Sequence, residues 1–458
     1  MIIHMVLPPR QTVCLGWVVE FVFREIFGLP FHVTEGEQAE IAISADGRKL
    51  VMPSLFPDID AERTAYARQM PSLPLAEFDA TRVLPEAGLE APLPVLFGCP
   101  KIEMPGDEIR CGMDILGTIF FMLSRFEEIA LADRDSRDRF PATASLAWKA
   151  GFLYRPIVDE YIELLWVMMK RLWPGLTRKR RQGQVRVSCD VDQPFDRVGR
   201  NPITLLRVLR HELLVRPRPR IAALRTANFI AAPFGSSRFD PFHAFDWYMD
   251  VCERHGRQAA FYFIADHSAG AIDGTYSIDE PRILGLLRRL AGRGHEIGMH
   301  GSYNTYRDGT QIRKERSRLS AACASAGIDA DVEGNRQHYL RWSAAETPDH
   351  LDEAGFGYDT SGSFADRPGF RYGTSCPFLM WSWKDKAPLR LRQRPLVVME
   401  VSVLSTDYLG LGHSEEAMDL MQTLKRRAMR HGGDFTLLWH NSEFFTPNDR
   451  EFFEILVE

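Results

Sequence analysis

Two aspartates, Asp190 and Asp192, close a short apolar run that begins at Val185. Its composition predicts a β-strand that stops at Gln193-Pro194. Residues i and i+2 of a strand point to the same face, so we expect both carboxylates to enter one space at the strand's C-terminal end. Active sites of α/β barrels and open α/β sheets form at that end. Paired carboxylates there can divide the work, one binding a metal and the other accepting a proton. An Asp-rich turn without catalytic function has the same local pattern, so the pair alone does not decide.

Further polar side chains follow other predicted strands. His300 comes after a short strand, and if a helix follows, His300 and Asn304 lie at positions i and i+4 on one face. Imidazole nitrogen and amide oxygen are both able to hold a metal. Arg336 can orient a carboxylate, and His440 is a candidate general acid. Asp359 follows a helix that ends near residue 355. We expect these groups to form one site because each ends an element of the same array.

The elements that position these groups alternate between strand and helix. Such an order predicts a parallel sheet, either open or closed into a barrel. The predicted strands are 185–189, 258–264, 295–299, 331–335, 396–403 and 434–439, and the predicted helices are 243–255, 279–293, 310–326, 343–354 and 414–431.

The part of the chain before these strands is predicted to form a smaller α/β domain, residues 1–176, with helices at 12–30, 114–129 and 156–173. Its charged residues Asp114, Arg125, Glu127 and Glu128 are expected on a solvated helix face. The basic stretch 177–184 is predicted to be a linker, and residues 185–458 are predicted to form the second domain.

Composition excludes several functional classes. With 45% hydrophobic and 26% charged residues the chain is that of an ordinary globular protein, and a net charge of −5 predicts no nucleic-acid partner. The seven cysteines are scattered without CxxC spacing, which favours a reducing, cytoplasmic compartment over a disulfide framework. We predict neither a transmembrane helix nor a cleaved signal.

One segment departs from the acidic average. Residues 178–225 hold 13 Lys and Arg against four acidic residues, and 203–216 have the spacing of a basic amphipathic helix. Segment 197–225 is therefore predicted either to make peripheral contact with an anionic membrane surface or phosphates, or to pack on the sheet with its arginines in water.

Taken in order, Asp190-Val-Asp192, His300-x-x-x-Asn304, Arg336, Asp359 and His440 resemble the motifs of the polysaccharide deacetylase family, also described as the NodB-homology domain or carbohydrate esterase family four. The phrases Gly-Asn-Arg-Gln-His-Tyr-Leu-Arg-Trp and Leu-Leu-Trp-His-Asn look like a bacterial branch whose members carry an uncharacterised N-terminal domain. The resemblance implies a distorted (β/α) barrel preceded by a smaller α/β domain.

The same resemblance implies a role for each matching residue. Asp190 would be the catalytic base, oriented by Arg336, and His440 the general acid. Asp192 and His300 would bind the metal. Asn304 stands where the family has a second histidine, and an amide oxygen is a poorer zinc ligand than imidazole. We expect substrate contacts from residues in or beside these motifs, namely His338, Tyr339, Asp359 and Trp439.

The function so implied is removal of an acyl group, in particular N-acetyl, from a sugar or glycan in surface-polysaccharide metabolism. The expected cofactor is a divalent metal, zinc first, with cobalt, nickel or manganese as alternatives. The substrate could be linked to a lipid carrier. Two other functions stay open: hydrolysis of a C–N bond in a non-sugar amide, and glycan binding without turnover.

Overall fold

The structure is a computed structural model that describes residues 1–37, 39–56, 59–61, 63–196, 201–215, 217–234, 238–329 and 331–458. Residues 1–184 contain eight described strands: β1 Ile3–Leu7, β2 Phe31–Glu35, β3 Glu40–Ala45, β4 Arg48–Pro53, β5 Ala76–Phe78, β6 Leu93–Val95, β7 Gly98–Glu103 and β8 Glu108–Met113. The helices of this part are α1 Thr12–Val19, which continues as a π-helix to Phe27, α2 Arg63–Tyr66, α3 Ala80–Val83, α4 Ile115–Leu123, α5 Phe126–Ala130, α6 Leu146–Lys149 and α7 Ile157–Leu172.

From residue 185 to Asp359, strands and helices alternate as predicted, whereas the next three strands follow without a helix between them. The next elements are β9 Val185–Val191, α8 Pro202–Arg210, α9 Pro219–Ala231, α10 Phe245–Arg254, β10 Ala259–Phe263, α11 Pro281–Gly292, β11 Glu296–Gly301, α12 Gly309–Ser325 and β12 Gly334–Gln337. The remaining elements are α13 Thr347–Glu353, β13 Tyr358–Asp359, β14 Phe378–Ser382, β15 Ala387–Gln393, β16 Val398–Met399, α14 Glu400–Leu404, α15 Glu415–Arg430, β17 Phe435–Leu438 and α16 Pro447–Val457.

Two compact units interleave along the chain. The first unit comprises Met1–Gln184, Leu340–Val397 and Thr423–Phe435, and the second comprises Val185–Tyr339, Val398–Gln422 and Thr436–Glu458. The first change of unit coincides with the predicted start of the second domain at residue 185. Residues 340–397 and 423–435 group with the N-terminal segment instead, whereas we predicted them within 185–458. The division into domains 1–176 and 185–458 therefore stays a prediction.

The second unit is built on a parallel sheet. β9 pairs in parallel with β10, β10 with β11 and β11 with β12, and β16 pairs in parallel with β17. In strand order β17 lies next to β9. Because parallel strands end at one edge, the residues that close β9, β11, β12 and β17 share that edge. The protein is thus a mixed α/β protein, and closure of the sheet into a barrel stays a prediction.

The first unit has its own sheet and a buried ion network. Its six strands run in the order β2-β1-β3-β4-β8-β7. The expectation that Arg125, Glu127 and Glu128 lie on a solvated helix face is wrong, because all three are at most 4% exposed. Arg125 Nε donates to Glu128 Oε1 at 2.7 Å, and Arg371 Nη2 donates to the other oxygen, also at 2.7 Å. Asp114 is buried as well, where it caps α4.

Residues 177–184, which we predicted to be a linker, form hydrogen bonds within the first unit. Lys179 N donates to Phe27 O at 2.7 Å, and Arg178 makes a two-pronged contact with Glu163 at 2.7 and 2.9 Å. Some basic residues of this segment therefore make contacts within that unit. Across the described residues, no helix has the length and apolar character needed to cross a lipid bilayer.

Candidate active site

Asp190 and Asp192 lie at the C-terminal end of β9 and face the same histidine. His300 Nε2 is 3.7 Å from Asp190 Oδ2 and 3.2 Å from Asp192 Oδ1. This agrees with the same-face placement expected of residues i and i+2 in a strand. The Asp190 side chain is buried, whereas that of Asp192 is 29% exposed. Asp192 is therefore the carboxylate that opens toward solvent.

The ring orientation of His300 is fixed by a backbone contact. His300 Nδ1 lies 2.8 Å from the carbonyl oxygen of Arg336. A carbonyl can only accept, so Nδ1 carries a proton in this bond, and in the neutral ring the lone pair is on Nε2. Nε2 faces the two carboxylates, which is the orientation of the ligating nitrogen in a metal-binding histidine.

A second histidine reaches the same point from the next strand. His338 follows β12, and its Nε2 is 3.6 Å from Asp192 Oδ1. On the other side of the ring, His338 Nδ1 is 2.9 Å from Oδ1 of the fully buried Asp273. A carboxylate behind a histidine is a common support for a metal ligand, because it fixes the ring and raises its basicity.

Asp192, His300 and His338 together fit a metal ion. Their potential ligand atoms all lie within 4.8 Å of one another. Asp192 Oδ1 is buried and has no hydrogen-bond partner in the part of the chain that the structure describes. One carboxylate with two imidazoles is a donor set that suits zinc and related divalent metals. Two acceptor atoms, Asp192 Oδ1 and His300 Nε2, face each other at 3.2 Å, and a cation between them would satisfy both.

The pKa shifts have the same electrostatic origin. Burial alone would raise the pKa of Asp192, but the neighbouring imidazoles of His338 and His300 hold it well below its usual range. Burial lowers the pKa of His338, yet the carboxylates of Asp192 and Asp273 outweigh this and raise it to about 9. The site therefore favours positive charge at the position where the three side chains meet.

Asp190 is held on the side away from solvent. Its Oδ1 is 3.5 Å from Arg336 Nη1, and Arg336 Nη2 donates to Ser188 Oγ at 3.1 Å. Arg336 is fully buried, with its guanidinium 5.3 Å from the centre of the Tyr262 ring. A buried arginine kept in place by a strand hydroxyl and an aromatic ring can orient the neighbouring carboxylate.

His440 stands on the opposite side of Asp192. Its Nε2 is 3.8 Å from Asp192 Oδ2, and its Nδ1 is 2.5 Å from Glu400 Oε1. The same Glu400 oxygen accepts from His440 N at 2.8 Å. Burial would lower the pKa of His440, but Glu400 outweighs that effect and raises it to about 10. A histidine that holds its proton beside a metal site is suited to protonate a leaving group.

We had expected Asn304 and His300 to share a helix face, and the structure shows that they do not. His300 belongs to β11, and a turn and the 3-10 helix Thr305–Arg307 come before α12. The i, i+4 argument therefore does not apply. Asn304 is exposed, and its Nδ2 donates to Ser268 O at 3.1 Å. His338, expected to contact substrate, is the third member of the candidate metal cluster.

The other expected substrate contacts lie in different surroundings. Tyr339 borders the site, with its ring 4.5 Å from that of His338 and a positive φ of 59°. Trp439 is fully buried and stacks on Phe444 at 5.7 Å, so its ring belongs to the core of the second unit. Asp359 belongs to the first unit, where its carboxylate accepts from Ser361 and Gln393.

Sequence reasoning missed two supporting carboxylates. Glu400 lies in the run Leu-Val-Val-Met-Glu-Val-Ser-Val, which we predicted as a strand through 403. The strand ends at Met399, and Glu400 begins α14. A lone acid inside an apolar run was the available signal. Asp273 lies in the 3-10 turn Gly270–Asp273 and carried no local signal, because its partner His338 is far away in sequence.

Comparison with known proteins adds one family match and several distant structural likenesses. Residues 4–174 match a family model described as a family of unknown function, DUF7033. No curated protein matches the sequence significantly.

The structural likenesses concern about three fifths of the chain. A candidate polysaccharide deacetylase from Mycobacterium smegmatis is 17% identical, with a TM-score of 0.39, over 61% of this chain and 84% of that one. Puue allantoinase is 13% identical, with a TM-score of 0.37, over 62% and 85%. A probable polysaccharide deacetylase from Pseudomonas aeruginosa PAO1 is 14% identical, with a TM-score of 0.36, over 68% and 90%. Likenesses at this level do not establish an activity.

Proposed function

We propose that the protein is a metal-dependent hydrolase that removes an acyl group, in particular N-acetyl, from a sugar or glycan. One observation carries the proposal: a base, a metal cluster and an acid meet around Asp192. His300 Nε2, His338 Nε2 and His440 Nε2 lie 3.2, 3.6 and 3.8 Å from its carboxylate oxygens. Asp190 flanks the same His300 nitrogen at 3.7 Å. A glycan-binding site without turnover has no need of this combination.

Asp192, His300 and His338 would hold the metal, with His338 in the position that we had predicted for Asn304. When bound, a divalent metal supplies Lewis acidity toward an acyl oxygen and lowers the pKa of water. Asp190 accepts the proton of the attacking water through its carboxylate. Arg336 keeps that carboxylate oriented from behind, as its 3.5 Å contact with Asp190 Oδ1 supports.

His440 completes the reaction as the proton donor. Glu400 holds Nδ1, so the proton on Nε2 points toward the Asp192 side of the site. As the C–N bond breaks, that proton moves to the leaving amine nitrogen, and the acyl group leaves as the carboxylic acid, which gives its remaining proton to solvent. Water thus supplies one proton to Asp190 and its oxygen to the acid product, and the proton on Asp190 later restores His440.

Hydrolysis of a non-sugar amide would use the same groups, and a substrate panel separates the two. Purified protein loaded with zinc, cobalt, nickel or manganese would be offered N-acetylated sugars, O-acetylated sugars, and small linear and cyclic amides. The proposal expects acetate release from at least one sugar, and release at least about 100-fold slower from the Asp190→Asn variant with the same metal content. Turnover of amides alone would transfer the activity to the second class. Full turnover by Asp190→Asn would refute the assigned base.

Location and substrate linkage also belong to the proposal. We infer a cytoplasmic enzyme of surface-polysaccharide metabolism, supported by the cysteine pattern, since all seven cysteines are free thiols. Cell fractionation tests this, and recovery of the protein in an exported fraction would contradict it. A lipid-carrier-linked sugar is the substrate form that fits the basic segment 197–225, of which residues 197–200 and 216 lie outside the described residues.

A further inference from the structure

An unusual share of exposed apolar side chains lies on one part of the second unit. Seven of the seventeen large hydrophobic residues that are exposed among the described residues lie between Pro202 and Phe234. They are 50–86% exposed and comprise Ile203, Leu206, Leu213, Leu214, Val215, Ile230 and Phe234. Single exposed apolar residues are ordinary, but a contiguous group marks an interaction surface. We call the described part of residues 202–234 the basic helix pair.

The inner face of the basic helix pair is anchored within its unit. Arg225 is 8% exposed, lies 3.5 Å from Asp196 and 4.0 Å from Glu212, and stacks 5.6 Å from the centre of the Phe242 ring. Arg218 stacks over Phe445 at 4.7 Å. These contacts hold the pair against the unit, so the exposed side chains form an outer face of a fixed element.

Helical spacing separates the two faces of α8. Residues 204, 205, 208 and 209 are partly buried, whereas 203, 206, 207 and 210 are exposed. The outer face therefore carries Ile203 and Leu206 beside Arg207 and Arg210, and Leu213 and Leu214 extend it through the following π-helical turn. An apolar stripe flanked by arginines is the composition of a helix that lies in a membrane interface.

The charge of the basic helix pair indicates which kind of partner surface it fits. Its described residues contain five arginines, 207, 210, 218, 220 and 225, and one acid, Glu212. Glu212 is buried beside Arg225, so the exposed charges that the described part of the pair itself contributes are all positive. A two-fold dimer through this face would bring the exposed arginines of both copies into one interface. An anionic lipid surface offers both acyl chains and opposite charge.

We propose that the basic helix pair docks the protein onto an anionic phospholipid surface. The apolar side chains enter the headgroup boundary, and the arginines contact lipid phosphates. This inference goes beyond the proposed hydrolase and does not depend on it, because lipid binding needs neither metal nor turnover.

Vesicle co-sedimentation of the full-length protein tests the docking. Two vesicle types are compared, phosphatidylcholine alone and an equimolar mixture with phosphatidylglycerol. We expect binding to the mixed vesicles that weakens with added salt, and a partition coefficient at least about tenfold lower for the double variant Leu206→Ser/Leu214→Ser. The charge variant Arg207→Glu/Arg210→Glu should lose binding to a similar degree.

The matched control removes two exposed leucines elsewhere. Leu55 and Leu73 are 52% and 47% exposed, and Leu55→Ser/Leu73→Ser should bind vesicles like the wild type. Circular dichroism checks that each variant is folded. Equal binding of all variants, equal binding to both vesicle types, or no binding to either would overturn the proposal. A concentration-dependent dimer that Leu206→Ser/Leu214→Ser abolishes, without vesicle binding, would assign the face to self-association.

Discussion

Replacing His338 by Ala should weaken metal binding far more than replacing Asn304 by Ala. His338 Nε2 lies 3.6 Å from Asp192 Oδ1, and its ring centre is 5.0 Å from that of His300. Asn304 is exposed and donates to Ser268 O at 3.1 Å. The perturbation therefore removes one of the three proposed metal ligands in the first case and a surface hydrogen bond in the second.

The expected loss of metal affinity follows from the known effect of removing a group that supports a metal ligand. Loss of a group behind a ligand costs about 10–100-fold in metal affinity. Loss of the ligand itself should cost at least about 100-fold, or about 2.7 kcal/mol at 1.36 kcal/mol per tenfold change. We expect Asp273→Asn, which acts through His338 Nδ1, to fall in the range of about 10–100-fold. Asn304→Ala should change affinity by less than about threefold, because its side chain is exposed and donates to Ser268 O.

Competition with a chromophoric chelator measures these affinities for zinc and cobalt on protein stripped of metal. Near-ultraviolet circular dichroism of each stripped variant shows whether the fold is kept. The reasoning is refuted if Asn304→Ala weakens binding as much as His338→Ala, or if His338→Ala binds like the wild type. Cobalt adds a direct test, since loss of an imidazole ligand should alter its visible spectrum.

Three further predictions address the base, the buried network and the core. Asp190→Asn should lower kcat by about 10²–10⁴-fold with unchanged metal content, measured by acetate release and elemental analysis, and equal loss of metal would contradict the role of a base. Glu128→Ala leaves Arg125 and Arg371 buried without their shared carboxylate. The free energy of unfolding, measured by urea denaturation, should therefore fall by about 3–5 kcal/mol. A change near zero would refute a stabilising network. Burial would raise the pKa of Glu128, but its arginine contacts outweigh burial and lower it from the usual 4.5 to about 2. Its contribution to stability should therefore be present above pH 4.5 and fade as the pH falls toward 2, with a flatter profile in Glu128→Gln. Trp439→Ala should cost about 3–5 kcal/mol of stability through a core cavity, and a raised KM with full stability would restore its role in substrate contact.

Much of the second unit follows from hydrophobic spacing. Predicted helices 243–255 and 310–326 correspond to α10 Phe245–Arg254 and α12 Gly309–Ser325, and predicted strand 258–264 to β10 Ala259–Phe263. The two helices each have one apolar face, and the strand is a short apolar run. The strand expected at 396–403 is wrong beyond Met399, because an apolar run rich in Val fits a buried strand and a short buried helix equally well.

The part of the candidate site that depends on strand geometry could be predicted from the sequence. Two carboxylates at i and i+2 had to share a face, and they do. The third proposed metal ligand could not be predicted from the sequence. The i, i+4 argument assumed a helix after His300, where the chain makes a turn. His338 comes from another strand, and long-range proximity of this kind has no signature in a single sequence.

The central claim is that Asp192, His300 and His338 hold a metal that this protein uses for hydrolysis. Elemental analysis of the purified wild type beside His300→Ala tests it most directly. The account predicts close to one equivalent of a divalent metal in the wild type and its loss in the variant. No metal in the wild type after incubation with zinc, cobalt, nickel or manganese, or equal metal in both proteins, would contradict the account.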